Sequence, residues 1–153
     1  MGSVETLRAG ELQRMTAGIG IVHSEFNASK TEPLHFFQIW IRPSRNGLTP
    51  SYEPMALTPE QKAGKLFQVA PPDTGAMKIN QDARVFVGDV TAGGTLKHAF
   101  APGRFARLHL IRGGVSVNGN DLETGDAAAI TAESTPGIQG RAPASEVLLF
   151  DLA

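Results

Sequence analysis

The chain has 153 residues, with 14 basic and 15 acidic side chains, a formal net charge of -1 and no cysteine. That length builds one good core or two small ones; the balanced charge argues against nucleic acid or an anionic membrane as the main partner, and the missing thiols exclude a disulfide framework or a thiolate zinc site. No apolar run approaches about 18 residues and no secretory n-region and h-region is found, so a cytoplasmic location is expected.

Glycine (17) and proline (10) recur at intervals that cut the chain into short segments. This is the pattern of an all-β sandwich or barrel, and helical periodicity is scarce. In chain order, 3–7 reads as a short strand, Arg8-Ala9-Gly10 as a turn, and 11–16 as a second strand in which Leu12 alternates with charged neighbours. Gly18 and Gly20 then break or bulge the ladder, since glycine accepts a positive φ that redirects the next segment inward.

That next segment, Ile21-Val22-His23-Ser24-Glu25-Phe26, carries an imidazole and a carboxylate two residues apart. In a strand, side chains at i and i+2 share a face, so His23 and Glu25 point together while Val22, Ser24 and Phe26 point oppositely. The mixed N/O donor pair suits iron, manganese, nickel, copper or zinc. The same pair also fits a hydrogen-bonded or solvent-facing His beside a Glu. A polar loop follows at 27–33, and then 34–41, the most hydrophobic strand of the first part, with apolar residues on both faces as for a strand buried on both sides. His35 there reads as a third nitrogen ligand or as a residue satisfied between layers; Trp40 reads as a core or inter-barrel anchor.

From Arg42 to Pro54 the composition turns to Pro, Ser, Arg, Asn and Gly, which predicts an extended connector. Thr58-Pro59-Glu60-Gln61 reads as an N-cap, a proline in the first turn and polar side chains behind it, so a short helix is expected from Pro59 to Ala63, ending at Gly64. Strands are then predicted over 65–69, 77–81, 83–90, 96–100, 105–111, 115–117, 127–131 and 146–152, close to the spacing of a jelly roll. Asn118-Gly119 between Val117 and Leu122 marks a two-residue hairpin. His98 and His109 lie on separate strands and read as surface or core residues. Asp82, Arg84, Arg107 and Arg141 are the polar residues to examine in the second unit's cavity, against a plain reading as solvated strand charges.

Gly20-x2-His23-x3-Asn27 resembles the second half of the cupin signature. The run from Met15 through Glu25, the segment 34–41, Gly47-Leu48-Thr49-Pro50-Ser51-Tyr52-Glu53-Pro54 and the tail Ser145 to Leu152 together resemble the pirin family over nearly the whole chain. The resemblance implies a bicupin of double-stranded β-helix jelly rolls. Residues 1–45 would be the later half of the first barrel, 46–64 a linker with a short helix, and 65–153 a complete second cupin without a metal site. It implies that His23 and Glu25 are metal ligands, with Glu25 also placed to accept a substrate hydroxyl proton. The family's His-x-His ligand pair has no counterpart here, so the site in this chain is expected to be incomplete and the first barrel shortened.

Two function classes follow from the resemblance. One is a metal-dependent quercetin 2,3-dioxygenase acting on a flavonol-type small molecule, with a divalent transition metal as cofactor, iron first and nickel, copper, manganese, zinc or cobalt as alternatives. The other is a non-catalytic cupin module in protein binding or regulation. A shortened barrel leaves strand edges unpaired, so a homodimer or strand exchange through residues 34–41 is expected. A cupin binder of sugars or small acids is the third, more generic class.

Overall fold

The computed structural model describes residues 4–71, 76–131 and 135–153. The helix is a single turn, and everything else regular is β. Strands β1 (Glu11–Thr16) and β2 (Ser51–Ala56) form an antiparallel pair, with Leu12 opposite Met55 and Arg14 opposite Glu53. After α1 (Pro59–Lys62) come β3 (Leu66–Ala70), β4 (Ala83–Val90), β5 (Thr95–Lys97), β6 (Phe105–Arg112), β7 (Gly114–Val117), β8 (Asn120–Glu123), β9 (Ala127–Ile130), β10 (Gly137–Gly140) and β11 (Ser145–Leu152). These nine strands make two facing antiparallel sheets, ordered β5-β10-β7-β8 and β3-β4-β11-β6-β9.

Period-two alternation decides what lies between the sheets. Along β11, Val147 and Leu149 turn inward to meet Leu108 and Leu110 of β6, Phe86 and Val90 of β4, and Ile138 of β10. The intervening residues Leu148, Phe150 and Leu152 face the other way. There, Leu148 joins Val69, Met77, Val85 and Val87 in a second apolar layer, against which Leu12, Ile41, Met55 and Leu57 pack. The first unit is therefore docked on the outer face of the five-stranded sheet. At about 25 cal/mol per Å² of apolar surface removed from water, both layers are stabilised chiefly by burial.

The predicted helix, the β4, β6 and β11 strands and the β7–β8 hairpin are all present, the hairpin with φ of 50° at Asn118 and 81° at Gly119 as its two-residue turn requires. Four local expectations differ. Of the strand expected at 3–7, residue 3 lies outside the described residues and 4–7 are exposed and join no sheet. Residues 77–81 belong to no strand, although Met77 is buried and bonds through its N–H to the Val69 carbonyl at 2.8 Å. The stretch expected as an extended connector, Arg42 to Pro54, runs into β2 and supplies its first four residues. The strand expected over 34–41, buried on both sides, is extended but unpaired, with Leu34, Phe36, Phe37 and Ile39 exposed and Trp40 91% exposed rather than anchored in a core. Its sequence suits a central strand, but no described strand runs beside it. From 21 to 43 no backbone group is hydrogen-bonded to another described backbone group.

Two carboxylates tie the parts together. Glu53 of β2 accepts from Arg14 at 2.7 Å and from the Lys78 N–H at 3.1 Å, and the Arg14 bond followed by the Lys78 bond holds its pKa below the ordinary 4.5. Glu146 of β11 bonds to Lys62 of α1 and to Arg112 of β6. Burial pushes its pKa up, but these two cations outweigh burial and leave it below 4.5. A carboxyl with a depressed folded pKa stabilises the fold above its unfolded pKa, and that contribution disappears as pH falls through the folded value. Thermal melts followed by circular dichroism are therefore expected to show a falling Tm below about pH 4.5, the ordinary Glu value. Glu146→Gln should flatten part of that slope.

Candidate metal centre

The site begins at the end of β1. After Thr16, Gly18 takes φ +56° and Gly20 φ +133°, and the turn is pinned by Gly20 N–H to the Ala17 carbonyl (2.8 Å) and Ile19 N–H to the Leu48 carbonyl (3.0 Å). The turn sends the chain back so that Glu25 reaches Gln13, a β1 residue twelve positions earlier. Gln13 Nε2 donates to Glu25 Oε1 at 2.9 Å, and Gln38 Nε2 donates to Glu25 Oε2 at 2.7 Å. Tyr52 of β2, directly across the sheet from Met15, donates its hydroxyl to Gln13 Oε1 at 3.2 Å. Burial first, then the carboxylates of Glu5 and Glu11, raise the Tyr52 pKa above its ordinary value, so it remains a neutral donor at neutral pH.

Each Glu25 oxygen thus accepts one amide hydrogen and keeps lone pairs to spare. Hydrogen bonding of this kind orients a carboxylate that binds a metal. His23 is exposed, two residues away, on a segment that forms no ladder. Gln13, Gln38 and Tyr52 were not among the residues singled out from the sequence. The one available signal was Gln38, an amide set inside the apolar run Phe36-Phe37-Gln38-Ile39-Trp40.

Donor number sets the limit of this centre. Among the described residues, no group of three or more His, Asp or Glu is placed to hold a metal ion. His35 is exposed and packs its ring against Phe37 at 5.0 Å, tilted by 57°. His23 and Glu25 alone do not fit a transition metal's usual ligand count, so no catalytic step can be drawn through an ion held by these residues only.

The second unit's polar residues are committed elsewhere. His98 lies between Phe86 and Phe100, ring centroids 4.4 and 4.7 Å away, and its Nε2 is 2.9 Å from buried Asp151. Arg104 bonds Asp151 and Asp82, and Arg84 lies 3.7 Å from Asp151. Arg141 pairs with Glu123 and Asp121 on the surface. Arg107 and His109 stand on the outer face of β6.

Two facing antiparallel sheets with inward apolar layers and jelly-roll strand order define a cupin-type β-barrel. A model described as the quercetinase C-terminal cupin domain matches residues 68–152, and the pirin model matches residues 1–41. The chain belongs to the pirin family. It is 40% identical over 153 residues to a quercetin 2,3-dioxygenase of Escherichia coli, covering 99% of this chain and 65% of that protein. It is 35% identical to a putative quercetin 2,3-dioxygenase of Pseudomonas aeruginosa, covering 100% and 66%. The crystal structure of YhhW from Escherichia coli superposes with a TM-score of 0.93 at 39% identity, over all of this chain and 64% of that one. The structure of bacterial pirin YhhW in complex with nickel(II) gives a TM-score of 0.90 at 39% identity, over 99% and 65%. The chain therefore spans just under two thirds of these relatives. Among the described residues, no helix is long and apolar enough to cross a membrane.

Proposed function

We propose that this chain carries part of a divalent-metal site of the pirin type, with His23 and Glu25 as two of its ligands and further donors required from outside the described set. The observation that carries this reading is the Glu25 carboxylate, fixed on both oxygens by Gln13 and Gln38, two residues along the chain from the exposed His23. The nickel(II) complex of a relative at 39% identity supports a divalent metal, and that relative's metal puts nickel beside the iron expected from the sequence. With the ligand set completed, the substrate class is a flavonol, as the names of the relatives suggest, and Glu25 is the residue that would take up a substrate hydroxyl proton. With two donors the chain by itself acts as a non-catalytic cupin module in the cytoplasm. In the same reading the unpaired 34–41 strip is the seam of a homodimer, because its free backbone groups and apolar side chains are open to strand addition.

One preparation tests these points. Purified without chelator, the chain is expected to hold well under one equivalent of nickel or iron by elemental analysis. His23→Ala and Glu25→Ala should each abolish what remains, and light scattering should report two chains. Full metal occupancy that survives both substitutions would remove His23 and Glu25 from the site.

A further inference from the structure

A cleft of about 400 Å³ lies between the 37–41 segment and the outer face of the five-stranded sheet, behind the strip read above as a dimer seam; strand addition uses that strip's free backbone edge, and the space between strip and sheet has no role in it. Its walls are apolar: Phe37, Ile39 and Ile41 on one side with the largely exposed Trp40 at the rim, and Leu148 and Phe150 of β11 on the other. Two nitrogen-bearing side chains, Arg107 and His109, enter from β6 at i and i+2 and therefore on one face. Phe37 meets the His109 ring edge-on, with centroids 5.2 Å apart and planes at 76°. The Arg107 guanidinium makes no ion pair or hydrogen bond with any described residue, whereas on the second unit those of Arg84, Arg104, Arg112 and Arg141 are all paired with carboxylates.

An apolar slot of this size with a few convergent polar groups has the form of a small-molecule site. Aromatic walls select a flat ring system, which stacks offset or edge-on. An unpaired guanidinium on the same wall selects an anionic oxygen, which it can bind with two parallel N–H donors. We propose that this cleft binds a planar aromatic anion of one or two fused rings, its carboxylate or phenolate on Arg107 and its ring between Phe37 and Phe150, next to Trp40 at the rim. The site involves neither His23 nor Glu25 and needs no metal.

Trp40 is the chain's one tryptophan and lines the cleft, so its fluorescence reads occupancy directly. The probes are naphthoate and its neutral isostere naphthamide, titrated in the presence of EDTA into the full chain. Naphthoate is expected to quench Trp40 saturably and to bind about tenfold or more tighter than naphthamide. Arg107→Met should erase that preference while leaving naphthamide binding unchanged, and Lys97→Met on β5 should change neither. Equal affinity for the two probes, or an Arg107→Met variant that keeps the preference, would overturn the proposal. So would naphthoate affinity that falls as protein concentration rises, because that outcome gives the cleft to a second copy of the chain.

Discussion

Asp151→Ala is expected to lower the stability of the second barrel by about 3–5 kcal/mol, a large share of the roughly 5–15 kcal/mol that holds a domain of ordinary size together. Asp151 is fully buried on β11, in line with the inward residues Val147 and Leu149. Its carboxylate receives Arg104 Nε and His98 Nε2, and its backbone carbonyl receives Arg104 Nη2 at 3.1 Å. The bond to Asp151 comes first among the causes that hold the Arg104 pKa above its ordinary value; burial opposes it and Asp82 adds to it. Removing the carboxylate takes the Nε acceptor from a guanidinium with only 11% of its side chain exposed, which keeps Asp82 and the carbonyl of residue 151, and leaves the imidazole between two phenyl rings without its acceptor. The cost is the desolvation of stranded polar groups rather than the net worth of one ion pair. Urea unfolding followed by circular dichroism measures it. Asp151→Asn, which keeps one acceptor oxygen, should lose less, and Asp151→Leu combined with Arg104→Leu should recover much of the loss of either alone. A loss below about 1 kcal/mol for Asp151→Ala would show that the cluster is hydrated and not buried.

The parts of the fold visible in the sequence are those in which one residue's environment repeats along one strand. Ala106, Leu108 and Leu110 alternate with Arg107 and His109, and the structure buries the first three and turns the other two outward. β2 was missed because Pro54 interrupts its Tyr52–Met55 pattern; the proline fits only because β2 pairs on one side alone, with β1. β10 was missed because two of its four residues are glycine, Gly137 and Gly140. At 34–41 the opposite happened: the composition was that of a buried strand, but burial needs a neighbour, and pairing is a property of other parts of the chain. The candidate site divides in the same way. His23 and Glu25 were legible as a local pair, whereas Gln13 and Gln38 reach Glu25 from twelve residues before and thirteen after, a coincidence of folding that no local pattern records.

Gly18→Ala is expected to open the β1–β2 pair without unfolding the second barrel. A Cβ at position 18 would lie 2.0 Å from the Leu48 carbonyl oxygen, 2.8 Å from its carbon and 3.1 Å from Pro50 N, all backbone atoms that cannot rotate aside. The residue also sits at φ +56°, where an L side chain is strained. Backbone strain of about 1–3 kcal/mol and overpacking of about 1–3 kcal/mol together give a local cost of about 2–6 kcal/mol. Relief requires residues 47–50 to move away from 17–20, which breaks the Ile19 to Leu48 hydrogen bond and opens the β1–β2 pair at its Thr16–Ser51 end. Hydrogen exchange should then speed up by about 30- to 20,000-fold in 11–16 and 51–56, while the amides of β4, β6 and β11 hold their protection. Gly10→Ala separates the two causes, because Gly10 has φ +83° but nothing within 4 Å of its added Cβ, so it should show the smaller, strain-only effect. If the two variants behave alike, the close approach of Leu48 is not what holds the turn. If they differ as expected, Gly18→Ala should also weaken any metal uptake, since the turn it disrupts is what returns Glu25 to Gln13.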